Sequence, residues 1–283
     1  MKVTKQEIRY NGYNCIRITN GTLELVIPID FGPRILHFSF VGEKNLFGII
    51  EDVEFKNKYG VWKIYGGHRL WTAPESLETY YPDNTKVDFL EKKDYFRISK
   101  NFEKIGIRKE IYLKFISKNE LEVIHRLVNI SKKTKKISLW TLSVMCKGGM
   151  AILPQNDVST DKYGFLPNRN IVFWKYTDVK DKRLSLDNDF IYIKQDTKSK
   201  TAFKIGQFLL KGWISYKVDK YLMVKKFKTP LVKTLDVYPD FFCNVEIYSC
   251  PKFLELELLT PLKVLNKSES IQHNEIWQLY KDN

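Results

Sequence analysis

Asn14-Cys15-Ile16-Arg17-Ile18-Thr19-Asn20-Gly21-Thr22-Leu23-Glu24-Leu25-Val26-Ile27-Pro28 holds two short apolar runs, Asn14 to Asn20 and Leu23 to Pro28, around an Asn-Gly pair. Branched aliphatic side chains suit a pleated, half-buried surface, and Asn-Gly accepts the left-handed backbone of a tight turn. The stretch therefore reads as strand, turn, strand. The same signature recurs in Ile35 to Phe40, Ile107 to Ile116, Leu121 to Asn129, Ile137 to Val144, Asp189 to Lys194 and Val245 to Ser249. Turn signals punctuate these runs at Asn11-Gly12, Lys118-Asn119 and Lys147-Gly148-Gly149. No segment keeps a helical period beyond about two turns. The expectation is an all-β chain of stacked antiparallel sheets. With no linker, low-complexity tract or fixed repeat, a single domain over residues 1–283 is expected.

The 283 residues are 43% hydrophobic, enough for a large core. No apolar run reaches membrane-spanning length, and Met1-Lys2-Val3-Thr4-Lys5-Gln6-Glu7 lacks the apolar centre of a secretory signal, so a cytoplasmic protein without a membrane partner is expected. Cys15, Cys146, Cys243 and Cys250 are too scattered for a zinc site or a disulfide framework and read as small buried hydrophobes. The net charge of +14 raises the question of nucleic acid. Its lysines, however, are interleaved with acids along the whole chain. Short runs such as Lys132-Lys133-Thr134-Lys135-Lys136 and Lys225-Lys226-Phe227-Lys228 read as solvated turns and strand faces. No nucleic-acid motif is present, and no such partner is expected.

Two stretches point to chemistry. Tyr65-Gly66-Gly67-His68-Arg69-Leu70-Trp71-Thr72-Ala73-Pro74-Glu75, followed by Tyr81-Pro82-Asp83-Asn84, reads as a long polar loop. Its aromatic, charged and amide side chains suit a hydroxyl-rich ligand. A ring stacks on the C–H face of a sugar while forked donors and acceptors take adjacent hydroxyls. The second stretch, Leu254-Glu255-Leu256-Glu257-Leu258, alternates strictly, which puts Glu255 and Glu257 on one face of a strand. That pattern fits the water-facing side of a half-exposed strand, or a carboxylate row lining a concave ligand-holding face.

In their order these motifs resemble the galactose mutarotase-like superfamily, in a bacterial branch apart from the aldose 1-epimerases proper. The resemblance runs through Gly32-Pro33-Arg34-Ile35, the Gly-Gly-His-Arg-x-Trp stretch and Tyr-Pro-Asp-Asn. It continues through Val128-Asn129-Ile130-Ser131, Trp140, Gly148 to Gln155, Trp174 to Asp178, Lys204-Ile205-Gly206, Tyr238-Pro239-Asp240 and Glu255 to Leu262. It spans nearly the whole chain. It implies a β-supersandwich of large antiparallel sheets with a carbohydrate in a concave groove, no cofactor and no metal, and a monomer or homodimer. It also implies a catalytic glutamate on a late strand, four or five residues before a proline, a place Glu257 holds relative to Pro261. His68, Arg69 and Trp71 are similar to an early segment of the hexose-6-phosphate epimerases. The chain departs from the family at Ser138-Leu139-Trp140-Thr141-Leu142-Ser143, where the epimerases carry a histidine.

If the chain is an isomerase, interconverting anomers needs a base for the C1 hydroxyl and an acid for the ring oxygen, flanking one pyranose. Glu257 as base and His68 as acid is the simplest pair. Arg34 and Arg69 would hold hydroxyls, Trp71 would stack on the ring, and Asp83, Asn84, Gln155 and Glu255 would read the periphery. Arg34, Arg69 and Arg183 would suit a phosphate, though no phosphate loop is present. His37 and His125, inside strand-like segments, read as structural, and His273 is expected in the turn before the last strand. A non-catalytic sugar-binding protein, and a lyase or hydrolase acting on an acidic polysaccharide, are the alternatives.

Overall fold

The computed structural model describes residues 2–229 and 237–282. Tyr13–Thr19 pairs with Leu23–Pro28 in the second hairpin of the chain. Gly21 takes φ +88° in the turn, a state that glycine adopts without steric cost. Thr4–Tyr10 and His37–Phe40 complete a four-stranded sheet. A ten-stranded sheet runs, in spatial order, through Leu184–Leu186, Phe190–Lys194, Met150–Pro154, Trp213–Val218, Tyr221–Phe227, Ser270–Lys281, Glu120–Asn129, Ile107–Phe115, Phe96–Phe102 and Asp88–Glu91. The third sheet orders Val172–Phe173, Phe203–Gln207, Val245–Ser249, Leu254–Leu259, Lys135–Met145, His68–Ala73 and Arg34–Ile35, with Lys263–Leu265 alongside Lys135–Met145. Among the described residues the only helical turns are Glu103–Ile105 and Pro239–Phe242. The chain is therefore all-β, built on large antiparallel sheets.

The main core lies between the ten-stranded and the eight-stranded sheet. Leu254, Leu256, Leu258, Ile205 and Ile247 from one meet Ile111, Val123, Leu127, Met223 and Trp277 from the other, all fully buried or nearly so. Burying such side chains contributes roughly 1.5–3 kcal/mol each and sets which face of every strand points inward.

Four local expectations give way to the structure. The polar stretch from Tyr65 is not a loop: Gly60–Gly66 forms a ribbon with Ile49–Asn57, and His68–Ala73 is an interior strand of the eight-stranded sheet. The adjacent glycines are there for backbone approach. A Cβ would sit 2.0 Å from the Gly48 carbonyl oxygen at Gly66 and 2.3 Å from that of Ile35 at Gly67. The run read as Ile35 to Phe40 breaks at Leu36, so that Arg34–Ile35 and His37–Phe40 serve different sheets. His273 lies within the last strand, opposite His125, not in the turn before it. Lys225 is wholly buried rather than solvated, because the carboxylate of Glu275 waits 3.0 Å away inside the core.

Candidate functional site

The alternation of Leu254–Leu259 sends its leucines into the main core and Glu255 and Glu257 to the opposite face. That face does not look onto open water: Glu257 is only 1% exposed. Cross-strand register assembles its neighbours. Glu257 stands opposite Glu246 and Leu142, Glu255 opposite Tyr248 and Val144, Leu142 opposite Arg69, and Trp140 opposite Trp71. Lys204 lies opposite Tyr248 one strand further on. A cavity of about 540 Å³ opens over this patch. Phe55 and Trp62 of the ribbon, Glu75 and Tyr80, and Trp174 and Tyr176 wall it in.

Inside the cavity the charges are clamped. The Glu257 carboxylate accepts two hydrogen bonds on Oε2, from Trp140 Nε1 at 2.9 Å and from Lys204 Nζ at 2.9 Å. Among the described residues none donates to its Oε1. The Lys204 ammonium also lies 2.6 Å from Glu246, and 4.9 and 4.7 Å from the ring centres of Trp140 and Trp174. Burial alone would push Lys204 down, but Glu257 and Glu246 outweigh it and hold the ammonium well above the ordinary lysine value. Burial pushes Glu257 up against the pull of Lys204, and Glu255 adds to the rise. Burial likewise raises Glu246 well above the carboxylate range. Arg69 donates to Glu255 at 2.7 Å and lies 4.3 Å over Trp71. Tyr80 donates its hydroxyl to Glu75. The arrangement offers an aromatic surface with a basic carboxylate in its floor, the combination a sugar ring and its hydroxyls demand.

Of the residues expected at the site, Arg69, Trp71, Glu255 and Glu257 meet in the cavity. His68 does not. It neighbours Arg69 in sequence and so points through the sheet into the main core, where it is wholly buried. Its Nδ1 lies 2.8 Å from Ser143 Oγ and its Nε2 2.7 Å from His125 Nε2. It cannot flank a pyranose together with Glu257. Arg34 shares the cavity face but is sealed at the sheet edge, bonded to Asp83 and to the carbonyls of Ile64 and Gly66. Asp83 is thereby engaged, and Asn84 ties Tyr65 to the Val61 carbonyl. Gln155 lies on the ten-stranded sheet's side of the molecule, donating to the Asp187 carbonyl at 2.7 Å, and lines a separate cleft with Arg169 and Asn170. Arg183 is bound to Asp181 and to the Ser249 carbonyl.

Lys204, Glu246, Trp174, Tyr176 and Tyr248 were absent from the expected set. Phe203–Gln207 and Val245–Ser249 do alternate, so period two puts Glu246 and Tyr248 on one face. Glu246 faces Glu257 across a hairpin, 11 residues away, but the register that adds Lys204 joins it to Glu257 across 53 residues and has no local signature. Among the described residues, no group of three or more histidine, cysteine or carboxylate side chains is arranged to hold a metal.

No family model matches the chain, and no curated protein matches it in sequence. Solved structures do. A galactose mutarotase-like protein from Clostridium acetobutylicum superposes with a TM-score of 0.53 at 12% identity, covering 100% of this chain and 99% of that one. A galactose mutarotase-like protein from Lactobacillus casei gives 0.55 at 8%, covering 94% and 100%. A protein of Salmonella typhimurium described as a candidate mutarotase gives 0.59 at 11%, covering 99% and 94%. At such identities the likeness shows the path of the backbone alone, and by that path the chain has the galactose mutarotase-like fold.

Proposed function

We propose that the cavity binds a monosaccharide ring and that the protein interconverts its anomers, as an aldose 1-epimerase-type isomerase. The observation that carries the reading is the Glu257 carboxylate. One oxygen is anchored by Trp140 and Lys204, the other has no donor among the described residues, and the group sits in the floor of an aromatic cavity with its basicity raised. A base so placed takes the proton of the C1 hydroxyl. The ring opens, the C1–C2 bond rotates, and reclosure on the other face returns the proton. With His68 turned away, the ammonium of Lys204 lies 2.9 Å from the base, and the hydroxyls of Tyr80, Tyr176 and Tyr248 also line the cavity. Such proton transfers contribute about 10²–10⁴-fold each. The fold gives the reading a carbohydrate setting, while the activity rests on the site. Polarimetry or saturation-transfer NMR on a panel of aldoses tests it. Anomer exchange above the spontaneous rate, lost in Glu257→Gln, is expected.

A second reading, a non-catalytic sugar-binding protein, has its own observation. No histidine lines the cavity, and the two carboxylates that clamp Lys204 make its ammonium a reluctant acid. Sugar binding with exchange no faster than in buffer would establish that reading in place of the first.

A further inference from the structure

The protein carries a net charge of +14, yet the cavity is acidic. Glu54, Glu75, Glu255 and Glu257 line it, against only two cations, Arg69 and Lys204. Both cations are already spent. Arg69 is paired with Glu255 at 2.7 Å. Lys204 is held by Glu257 at 2.9 Å, with the buried Glu246 at 2.6 Å behind it. Glu246 is wholly buried, and neither of its oxygens receives a directed hydrogen bond. Glu75, at the rim, takes only the Tyr80 hydroxyl, and no lysine or arginine among the described residues pairs with it or with Glu54. The arginines that sequence alone would offer to an anion are also closed. Arg34 is bound to Asp83 and Arg183 to Asp181.

We propose that this cavity selects a sugar carrying an ammonium group, an amino sugar, over its neutral parent, and excludes uronates and sugar phosphates. The inference rests on the reading of the cavity as a sugar site and names its substrate class. A ligand anion would enter a site with surplus carboxylate and find no cation free to meet it. Shedding an ion pair to supply one would leave a buried carboxylate exposed to like charge. A ligand ammonium meets the opposite situation. It adds the missing positive charge within reach of Glu75 or Glu257, in a partly desolvated place where one unit charge at about 5 Å is worth a tenfold change or more. The aromatic walls favour the same sign, since ring faces attract cations.

The test is calorimetric titration at about pH 6.5, where the amine is protonated, with glucose, glucosamine, N-acetylglucosamine, glucuronate and glucose 6-phosphate, repeated in the galactose series. Glucosamine or galactosamine should bind about tenfold tighter than its neutral parent. The uncharged N-acetyl form should lose that advantage, and the uronate and phosphate should bind at least tenfold more weakly. Glu75→Gln should narrow the amine-to-neutral ratio several-fold, and raised salt should narrow it too. Neutral and amino sugars of equal affinity, or a uronate or phosphate that binds tighter than glucose, would overturn the selectivity while leaving the sugar site standing. Failure of every sugar in both series would instead remove the sugar site itself, and the selectivity with it.

Discussion

On one face of the eight-stranded sheet, Lys204 is held by Glu246 and Glu257. On the other, where the ten-stranded sheet closes over it, Lys225 is held by Glu275 at 3.0 Å, with His68, His125 and Ser143 around it. Both clamp a buried lysine with carboxylate, the first from Phe203–Gln207, Val245–Ser249 and Leu254–Leu259 of the eight-stranded sheet, the second from Tyr221–Phe227 and Ser270–Lys281 of the ten-stranded sheet. They differ in what lies in front of them. The first opens on a cavity, so the Glu257 oxygen that its own neighbours leave free can meet a ligand or water. The second is sealed. Thr141 and Trp277 donate to Glu275 at 2.6 and 2.7 Å, Lys225 also donates to Ser143, and each Glu275 oxygen is taken by the protein. A satisfied polar network in a closed core fixes the packing of the two sheets, whereas a charged cluster beside a cavity keeps bonding capacity in reserve. Comparing the two faces separates a structural network from a chemical one better than burial does, since Glu257 and Glu275 are almost equally hidden.

The largest expected effect separates the two lysines. Lys225→Met leaves Glu275 charged in a sealed core and should cost about 3–5 kcal/mol in denaturant unfolding. Lys204→Met should cost about 1–2 kcal/mol, because the cavity can admit water and Glu257 or Glu246 can take up a proton. Equal losses would show that the cavity is as dry as the core and that the contrast between the faces is false.

Next in size is the split between activity and stability. If the chain is an isomerase, Glu257→Gln should slow anomer exchange by about a hundredfold, since it removes the base and keeps its shape, while the melting temperature moves little. Glu275→Gln should do the reverse, lowering stability and sparing exchange in whatever fraction stays folded. A Glu257→Gln protein with unaltered exchange would take the base out of the mechanism.

The two faces also answer to pH with opposite signs. Burial, with Lys225 and His125 adding, pushes His68 well below the usual histidine value, and burial brings His125 down to about 3 despite Glu275. Groups depressed in this way bind fewer protons folded than unfolded. Their stability is present above the unfolded value of about 6.5 and drains away as pH falls below it. Glu275, held well below its usual range because Lys225 and the histidines outweigh the burial that would raise it, extends the loss to lower pH. Glu246 and Glu257 are raised, so acidification relieves their penalty instead. The core face should dominate, and His125→Asn should flatten the fall in stability between about pH 6.5 and 5 by about 1 kcal/mol per pH unit. An unchanged slope in that variant would mean that His125 does not titrate on unfolding as its burial requires.

How much of this was legible in the chain follows from the reach of each signal. Period two is local, so the strands around Asn20-Gly21 and the one-sided placement of Glu255 and Glu257 could be read directly. The same rule, had His68–Ala73 been recognised as a strand, would have placed His68 and Arg69 on opposite faces. The strand carries no local signature, because His68, Arg69 and Trp71 interrupt the apolar pattern and their partners Ser143, Glu255 and Trp140 lie 75, 186 and 69 residues away. Lys204 and Glu246 were hidden for the same reason: a buried ion pair is written in two distant strands, and neither one alone differs from an exposed charge.

The smallest predicted effect bears on how far the two faces can be tuned independently. Trp140 belongs to the cavity wall, and its Nε1 donates to the same Glu257 oxygen that Lys204 holds. Trp140→Phe keeps most of the ring and removes that one donor. A hydrogen bond to the charged form of a carboxylate lowers its pKa, so its loss should lift Glu257 further, by up to about one unit. If Glu257 is the base, the acid limb of the exchange-rate profile should move to higher pH by that amount, while the plateau rate changes by only a few-fold. Stability should fall by about 1 kcal/mol, the usual net worth of one such bond. The matching change across the sheet is Trp277→Phe, which removes a donor from Glu275 in the sealed core. There the oxygen has no cavity to turn to, so the stability loss should be at least twice as large and no rate limb should shift. Should Trp140→Phe leave the acid limb where it was, Glu257 is not the group whose protonation limits the reaction, and the search for the base would pass to Glu255 on the same face of the same strand.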